Sequence, residues 1–160
     1  MRTKYCVVAV ILLVATGTAS SLTDPFVGRW VLNPGLSKYP SGTCPRRMVI
    51  EMESVGDGIH YRSETKYANG VTAHSEYTAD YNGNQSLVMG NRGMLFPVSL
   101  KRSNSHLVLA SYTKGLQVVA TSRRVVSKDG RRMTITTMSK NSLGADVLTV
   151  GVYEKQRDGH

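Results

Sequence analysis

Short segments in which hydrophobic and polar residues alternate make up most of the chain after residue 25, and glycine-containing turns separate them. Such alternation is typical of strands that bury one face. Asn69-Gly70 and Asp129-Gly130 favour tight hairpin turns, because these residues adopt positive φ at little cost. The pattern predicts ten strands, at residues 26–32, 46–55, 59–67, 71–81, 85–89, 94–102, 106–113, 116–126, 131–140 and 145–156.

Consecutive strands joined by tight turns form an antiparallel meander, and closing such a sheet into a barrel removes its exposed edges. We therefore predict an all-β fold: a single antiparallel up-and-down β-barrel of about ten strands, forming one domain at residues 21–156. A small barrel of this kind holds packed side chains or one small ligand. We expect residues 157–160 to form a disordered tail.

The alternation also predicts which side chains point into the barrel. The inward sets of three strands are Met48, Ile50 and Met52; Ile59, Tyr61, Ser63 and Thr65; and Met133, Ile135 and Thr137. These sets mix apolar side chains with hydroxyl groups, and a buried hydroxyl needs a partner or a water molecule. A ligand cavity with ordered water accommodates such groups, so the pattern favours a cavity inside the barrel.

The first twenty residues have the pattern of a secretory signal peptide. Arg2 and Lys4 precede the apolar run Cys6–Val14, and small residues follow at positions 15–19. The apolar run is far shorter than the roughly 20 residues that a membrane-spanning helix needs. We expect residues 1–20 to be cleaved, after Ala19 or Ser20, and the protein to be secreted or periplasmic.

The charge is strongly positive, with a formal net charge of +9. Without Arg2 and Lys4, 18 basic residues stand against 11 acidic ones, a balance of +7. This charge favours an anionic envelope surface as a partner, or it serves solubility alone. After cleavage Cys44 is the remaining cysteine, and a buried apolar role, a free thiol and a dimer bridge all stay open. We expect a monomer.

Two short motifs carry a resemblance to a known group of proteins. Gly28-Arg29-Trp30 and the closing Val152-Tyr153-Glu154-Lys155 resemble the calycins, which include the lipocalins and the fatty-acid-binding proteins. The opening from Gly28 to Pro34 and the turn from Val125 to Gly130 most closely resemble small secreted bacterial proteins of unassigned function. The resemblance implies a lipocalin-like barrel in which Gly28 and Trp30 are structural and Trp30 closes the barrel floor.

The resemblance also has departures that concern the ligand. The arginine that anchors a fatty-acid carboxylate in the closing motif falls on Gly151 here, and only Tyr153 matches the inward-pointing pair. The loop at residues 33–45 is too short for the helix-turn-helix lid of the fatty-acid-binding proteins. A charged anchor would then come from Arg123 or Arg124, and the mouth of the barrel would be open or covered by a loop.

These arguments predict a ligand site inside the barrel. Arg123 and Arg124 are adjacent on a strand, so one points inward, and Arg124 shares its phase with Val118, Ala120 and Ser122. An inward arginine could pair with an acidic head group or stack on Trp30; a solvated strand end is the third alternative. The predicted ligand-binding residues are Tyr61, Tyr112, Arg124, Met133, Ile135 and Tyr153.

Other functional classes lack a matching pattern. The sequence has no nucleophile elbow, phosphate loop or paired-carboxylate motif, so we predict no enzyme, no catalytic residue and no cofactor. His60, His74 and His106 match no metal-binding spacing, and the basic turn near Lys128 lacks the interleaved aromatic residues of a nucleic-acid site. An outer-membrane barrel is disfavoured because the outward faces carry charged residues.

The sequence thus indicates an exported soluble β-barrel that binds a small hydrophobic or amphipathic ligand in its interior. The alternative is a filled barrel that acts as an envelope-associated or inhibitor-like interaction module through its basic outer surface.

Overall fold

The structure, a computed structural model, describes residues 23–157. The predicted signal peptide at residues 1–20 lies outside this range, as do residues 158–160 of the predicted tail. Every regular element between residues 23 and 157 is a β-strand. No helix in that range is long and apolar enough to cross a membrane.

Within residues 23–157, eleven strands form one curled antiparallel sheet. They are β1 (Gly28–Leu32), β2 (Arg47–Val55), β3 (Gly58–Lys66), β4 (Thr72–Asp80), β5 (Asn82–Ser86), β6 (Met89–Gly90), β7 (Val98–Asn104), β8 (Leu107–Lys114), β9 (Gln117–Val126), β10 (Arg132–Lys140) and β11 (Asp146–Lys155). The hydrogen-bonded order is β5-β7-β8-β9-β10-β11-β1-β2-β3-β4-β6. The predicted all-β antiparallel barrel is therefore confirmed, with one strand more than expected.

The extra strand marks a seam where the meander is interrupted. β5 pairs with β7, and the two-residue β6 returns to pair with β4, so no ladder joins β4 to β5. β5 is short, polar and exposed, and its register with β7 shifts between Asn82 and Gln85. The edge strands β5 and β6 do not pair with each other, so no ladder closes the sheet at this seam.

Hydrogen bonds and an ion pair connect the two sides of the seam at one end of the barrel. The backbone N–H of Arg102 donates to the carbonyl of Tyr81 at 3.3 Å. Asp24 accepts hydrogen bonds from the Tyr81 hydroxyl at 2.9 Å and from the Arg102 guanidinium, with which it also forms an ion pair. The guanidinium carbon of Arg102 lies 3.8 Å from the centre of the Tyr81 ring. The segment before β1 therefore ties β7 to the end of β4.

This end of the barrel, called the floor below, is filled by side chains. Trp30 is completely buried, and its indole N–H donates to the carbonyl of Phe26 at 2.9 Å. The Lys155 ammonium lies 5.0 Å from the centre of the Trp30 ring, so a lysine, rather than the arginine considered as one alternative, covers this ring. Around Trp30 the packed core contains Phe26, Leu32, Ile50, Met52, Ile59, Val98, Leu100, Val108, Val126 and Met133.

The backbone conformation of Gly28 favours glycine. Its φ is 130°, and a Cβ at this position would stand 2.6 Å from Cε of Lys155. Glycine adopts this backbone conformation without strain, whereas other residues rarely do. Gly28 therefore lets β1 pass close to the lysine that covers Trp30.

Candidate functional site

A cavity of about 250 Å³ lies in the half of the barrel opposite the floor, here called the mouth half. Its walls come from β2, β3, β4, β8, β9, β10 and β11 and from the loop that precedes β2. Its lining includes Tyr39, Met48, Tyr61, Ser63, Thr65, Tyr67, Tyr77, Tyr112, Ser122, Arg124, Ile135, Thr137, Thr149 and Tyr153. The mixture of apolar rings, hydroxyls and one buried cation suits an amphipathic molecule.

Residues 87–97, here called the strap, cover one side of the mouth. Val88, Arg92 and Met94 of the strap line the cavity. The strap is attached to β4 through β6 and through Asn91, whose backbone N–H donates to the carbonyl of His74 at 3.2 Å. The Asn91 side-chain oxygen accepts the His74 N–H at 2.7 Å and so extends the pairing by one more bond. The sequence predicted a mouth that is either open or covered by a loop. In the structure a loop, the strap with its two-residue strand β6, covers one side of the mouth.

Arg124 is the central polar group of the cavity. It lies on the inward face of β9 and is only 4% exposed. Its guanidinium donates to the Tyr77 hydroxyl at 2.6 Å and to the Tyr112 hydroxyl at 2.8 Å. Its guanidinium carbon also lies 5.4 Å from the centre of the Tyr61 ring, within cation–π range. Three aromatic residues from β3, β4 and β8 thus orient one buried cation.

The cluster is held by register as well as by hydrogen bonds. Tyr61 and Tyr77 are opposite each other in the β3–β4 ladder, and their rings stack with centres 4.7 Å apart and planes 11° apart. Stacked rings restrict each other's rotation and leave the Tyr77 hydroxyl directed at Arg124. The cation is therefore positioned before any ligand arrives.

Two buried polar atoms in this cluster have no hydrogen-bonding partner among residues 23–157. They are Nε of Arg124 and the hydroxyl oxygen of Ser122, which precedes Arg124 by two residues on the same inward face. Among residues 23–157, no carboxylate forms an ion pair with Arg124. A buried, uncompensated charge is costly, and buried polar groups are normally satisfied. The cluster therefore offers a donor and a positive charge to a molecule in the cavity.

Burial keeps the cavity tyrosines neutral. Burial raises the pKa of Tyr61 to about 12, although the nearby Arg124 cation opposes the shift. Burial likewise raises the pKa of Tyr77 and of Tyr153 well above the ordinary value. Burial by itself lowers the pKa of Arg124, but the hydroxyls of Tyr77, Tyr112 and Tyr61 outweigh it, and the guanidinium stays charged. The site is thus a cation surrounded by neutral hydroxyls at physiological pH.

These shifts predict a loss of stability at alkaline pH. The pKa of Tyr61 is higher in the folded protein than the unfolded value of 10.0, so its contribution is complete below pH 10.0 and is lost between there and about 12. The free energy of unfolding should fall by about 1.4 kcal/mol per pH unit for each such tyrosine above this point. Urea unfolding at a series of pH values, with tyrosinate absorbance recorded in parallel, measures the effect.

The Tyr61→Phe variant serves as the control for alkaline destabilisation. In this variant the free energy of unfolding should fall less steeply with pH, because one titrating tyrosine has been removed. Ionisation of every tyrosine at its ordinary pKa in the folded protein, with no loss of stability, would contradict the assignment.

Five of the six predicted ligand-binding residues line the cavity: Tyr61, Tyr112, Arg124, Ile135 and Tyr153. Met133 does not. It is fully buried in the packed core, one step closer to the floor than Ile135 on the same face of β10. The alternation predicts that Met133 points inward, but it does not predict how far the packed floor extends along the strand. The prediction that Met133 lines the ligand site was therefore wrong.

Gly151 occupies the position where the fatty-acid-binding proteins have the arginine of the closing motif. It lies close to two tyrosines of the cavity wall. A Cβ at this position would lie 2.8 Å from the ring of Tyr153 and 3.0 Å from the hydroxyl of Tyr39. The Tyr153 hydroxyl, in turn, lies 3.2 Å from the sulfur of Met48. Glycine therefore makes room for two tyrosines, and the charge is supplied from β9 instead.

Several site residues were not identified from the sequence. Tyr77, Ser122 and Tyr39 all contact the cluster or the cavity wall. Tyr77 shares its phase on β4 with the buried Ala73 and Ala79, and this alternation is the signal that could have identified it. Tyr39 lies in the loop before β2, where no periodicity applies.

Comparison with known proteins supports the fold. No protein-family profile matches the chain. No curated protein matches it in sequence. Among solved structures, the chain is similar to zebrafish ileal bile acid-binding protein complexed with cholic acid, at 13% sequence identity and a TM-score of 0.53. The match covers 82% of this chain and 99% of that chain. The curled all-β sheet and this similarity together show that the chain has a calycin-type fold, the β-barrel fold of lipocalins and fatty-acid-binding proteins.

Proposed function

We propose that this protein binds a small amphipathic acid in the mouth half of its barrel. The observation that carries the proposal is the buried Arg124, whose Nε and whose neighbour Ser122 have no partner within residues 23–157. An anionic head group would accept the free Nε–H and the Ser122 hydroxyl and would neutralise the charge. The hydroxyls of Tyr77 and Tyr112 already hold the other guanidinium nitrogens in place.

The rest of the cavity defines the other end of the ligand. The apolar side chains of Met48 and Ile135 and the ring of Tyr61 face the same space as Arg124. The volume of about 250 Å³ is slightly below the range of about 300–1,000 Å³ of sites for drug-sized ligands. A compact ligand, with one acidic group and a short apolar body, fits these dimensions best.

The zebrafish protein of similar fold is complexed with cholic acid, which supports testing amphipathic acids first. The basic start, the short apolar run and the small residues of positions 1–20 support export as part of this proposal. The protein would then carry or sequester its ligand outside the cytoplasm.

Competitive displacement of a fluorescent amphipathic anion tests the proposal. The panel contains medium-chain fatty acids, their matching alcohols, and cholate. We expect the acids to displace the probe at lower concentrations than the alcohols, by about tenfold or more, because a hydrogen bond to a charged group contributes about 1.5–3 kcal/mol. Native mass spectrometry should show one ligand per chain.

Two results would reject this function. One is the absence of any uptake from the panel by folded protein. The other is equal affinity for acids and alcohols, which would leave a hydrophobic site without a role for Arg124.

A further inference from the structure

Exposed hydrophobic side chains are concentrated around the opening of the cavity. The segments that border this opening, here called the mouth rim, are residues 39–48, 64–74, 87–97, 112–118 and 137–149; each contains residues that line the cavity. Ten large hydrophobic side chains within residues 23–157 are strongly exposed. Seven of them lie in the mouth rim: Leu87, Met89, Leu116, Val118, Met138, Leu143 and Leu148. The surface around the mouth is therefore more apolar than the rest of the barrel wall.

Two of these leucines stand at turn tips. Leu116 follows Gly115 in the turn between β8 and β9 and is fully exposed, and Leu143 lies in the turn between β10 and β11 and is 90% exposed. Because adjacent strands in this order are antiparallel, both turns project from the same end of the barrel. Turn tips normally carry Gly, Asn, Asp or Ser, so turn chemistry does not account for a solvent-facing leucine at these positions.

The mouth rim is also positively charged. It contains six basic residues, all exposed: Arg46, Arg47, Lys66, Arg92, Lys114 and Lys140. Its two acidic residues, Glu64 and Asp146, pair with Lys66 at 3.4 Å and with Lys140 at 2.8 Å. No carboxylate within residues 23–157 pairs with the other four basic side chains. A net positive ring with isolated apolar tips thus surrounds the cavity opening.

We propose that the mouth rim docks onto an anionic lipid bilayer, with Leu116 and Leu143 inserting between the head groups. The tips stand on separate hairpins, so each can enter a fluid interface on its own, whereas a rigid protein partner would need a matching pocket for each. Cations around such tips attract anionic lipid head groups, and the apolar tips add burial at the acyl boundary. This inference goes beyond ligand binding, because it gives the barrel a surface and an orientation in which the cavity faces the membrane.

Sedimentation with vesicles tests the proposal. The purified protein is mixed with vesicles of phosphatidylcholine alone or of phosphatidylcholine with phosphatidylglycerol, at low and high salt. We expect binding to the anionic vesicles that weakens with salt, because salt screens the attraction of exposed charges. The double variant Leu116→Ser/Leu143→Ser should bind at least about tenfold more weakly, since each leucine loses its burial at the interface.

Matched variants separate the rim from general effects. Val55→Ser/Leu109→Ser removes two exposed apolar side chains outside the rim and should bind as the unmodified protein does. Arg46→Glu/Lys114→Glu should weaken binding more than Lys128→Glu/Arg131→Glu, which changes the net charge equally but lies at the turn between β9 and β10, at the other end of the barrel. Circular dichroism and urea unfolding verify that each variant is folded.

Three outcomes would overturn the proposal. The first is that the protein does not bind anionic vesicles at low salt. The second is that the charge variants of the mouth rim and of the β9–β10 turn lose vesicle binding equally. The third is that the protein does not bind vesicles but forms a dimer in solution that depends on Leu116 and Leu143. The vesicle assay requires no ligand, so its failure is distinguishable from a failure of ligand binding.

Discussion

Trp30→Ala is expected to lower the free energy of unfolding by about 3–5 kcal/mol, the usual cost of truncating a buried tryptophan to alanine. Trp30 is completely buried among the floor residues of the barrel. Its removal would leave a cavity between β1 and the core and would leave the carbonyl of Phe26 without its indole donor. It would also remove the ring beneath the Lys155 ammonium. Urea unfolding of the variant and the unmodified protein measures the difference.

Two further variants serve as controls for the loss of stability in Trp30→Ala. Trp30→Phe should cost less, because it keeps most of the buried area and loses mainly the indole hydrogen bond. Val55→Ala removes apolar atoms from an exposed position and should change stability by no more than about 0.5 kcal/mol. A loss below about 1 kcal/mol for Trp30→Ala would show that Trp30 is not part of a packed floor.

Arg124→Met is expected to weaken binding of an amphipathic acid by about tenfold to a hundredfold, since hydrogen bonds to charged groups contribute about 1.5–3 kcal/mol. The methionine keeps much of the side-chain volume but removes the charge and the free Nε–H that would meet the acid. Affinity for the matching alcohol should change by less than about threefold. The same probe displacement that tests the proposed function measures both values.

The adjacent arginine offers a matched control for Arg124. Arg123 lies next to Arg124 on β9 but is exposed on the outer face, so Arg123→Met changes the net charge equally without altering the cavity. It should leave the affinity for acids unchanged. Equal losses for Arg123→Met and Arg124→Met would mean that the overall charge of the protein, and not the cavity, attracts the acid.

These two variants report on different halves of the same barrel. The floor half is packed around Trp30 and supplies stability, whereas the mouth half contains a cavity and a cation that no carboxylate among residues 23–157 neutralises. A rigid floor suits a binding protein, because Arg124 and its tyrosines then need little rearrangement when a ligand enters. The sequence left two alternatives for the barrel interior, a cavity or packed side chains. The structure has both: packed side chains fill the floor half, and a cavity lies in the mouth half.

Local patterns predicted much of the site. The turn at residues 68–70 contains three residues, so Tyr67 lies opposite Val71, and the same register places Tyr61 opposite Tyr77. Extending that register along the hairpin would have identified Tyr77 from the sequence. The phase of β9 predicted Arg124 as the inward arginine, because successive side chains of a strand point to opposite faces.

Long-range packing accounts for what the patterns missed. β6 has only two residues and forms because the strap returns to the edge of β4, which no periodicity over two residues can signal. The lysine over Trp30 comes from β11, at the opposite end of the described chain, and depends on the β1–β11 pairing. The depth at which Met133 leaves the cavity wall for the packed core depends on how far Trp30 and Phe26 fill the barrel from below.

The sequence by itself determined the all-β class, most strand positions, the hairpin turns and the inward direction of Arg124, because these follow from alternation and turn chemistry between near neighbours. Only the tertiary structure decided that β4 and β5 meet at an open seam, that the cavity occupies the mouth half alone, and that no carboxylate among residues 23–157 pairs with Arg124. These features depend on how whole strands pack and on which groups become buried, and no local pattern contains those energies.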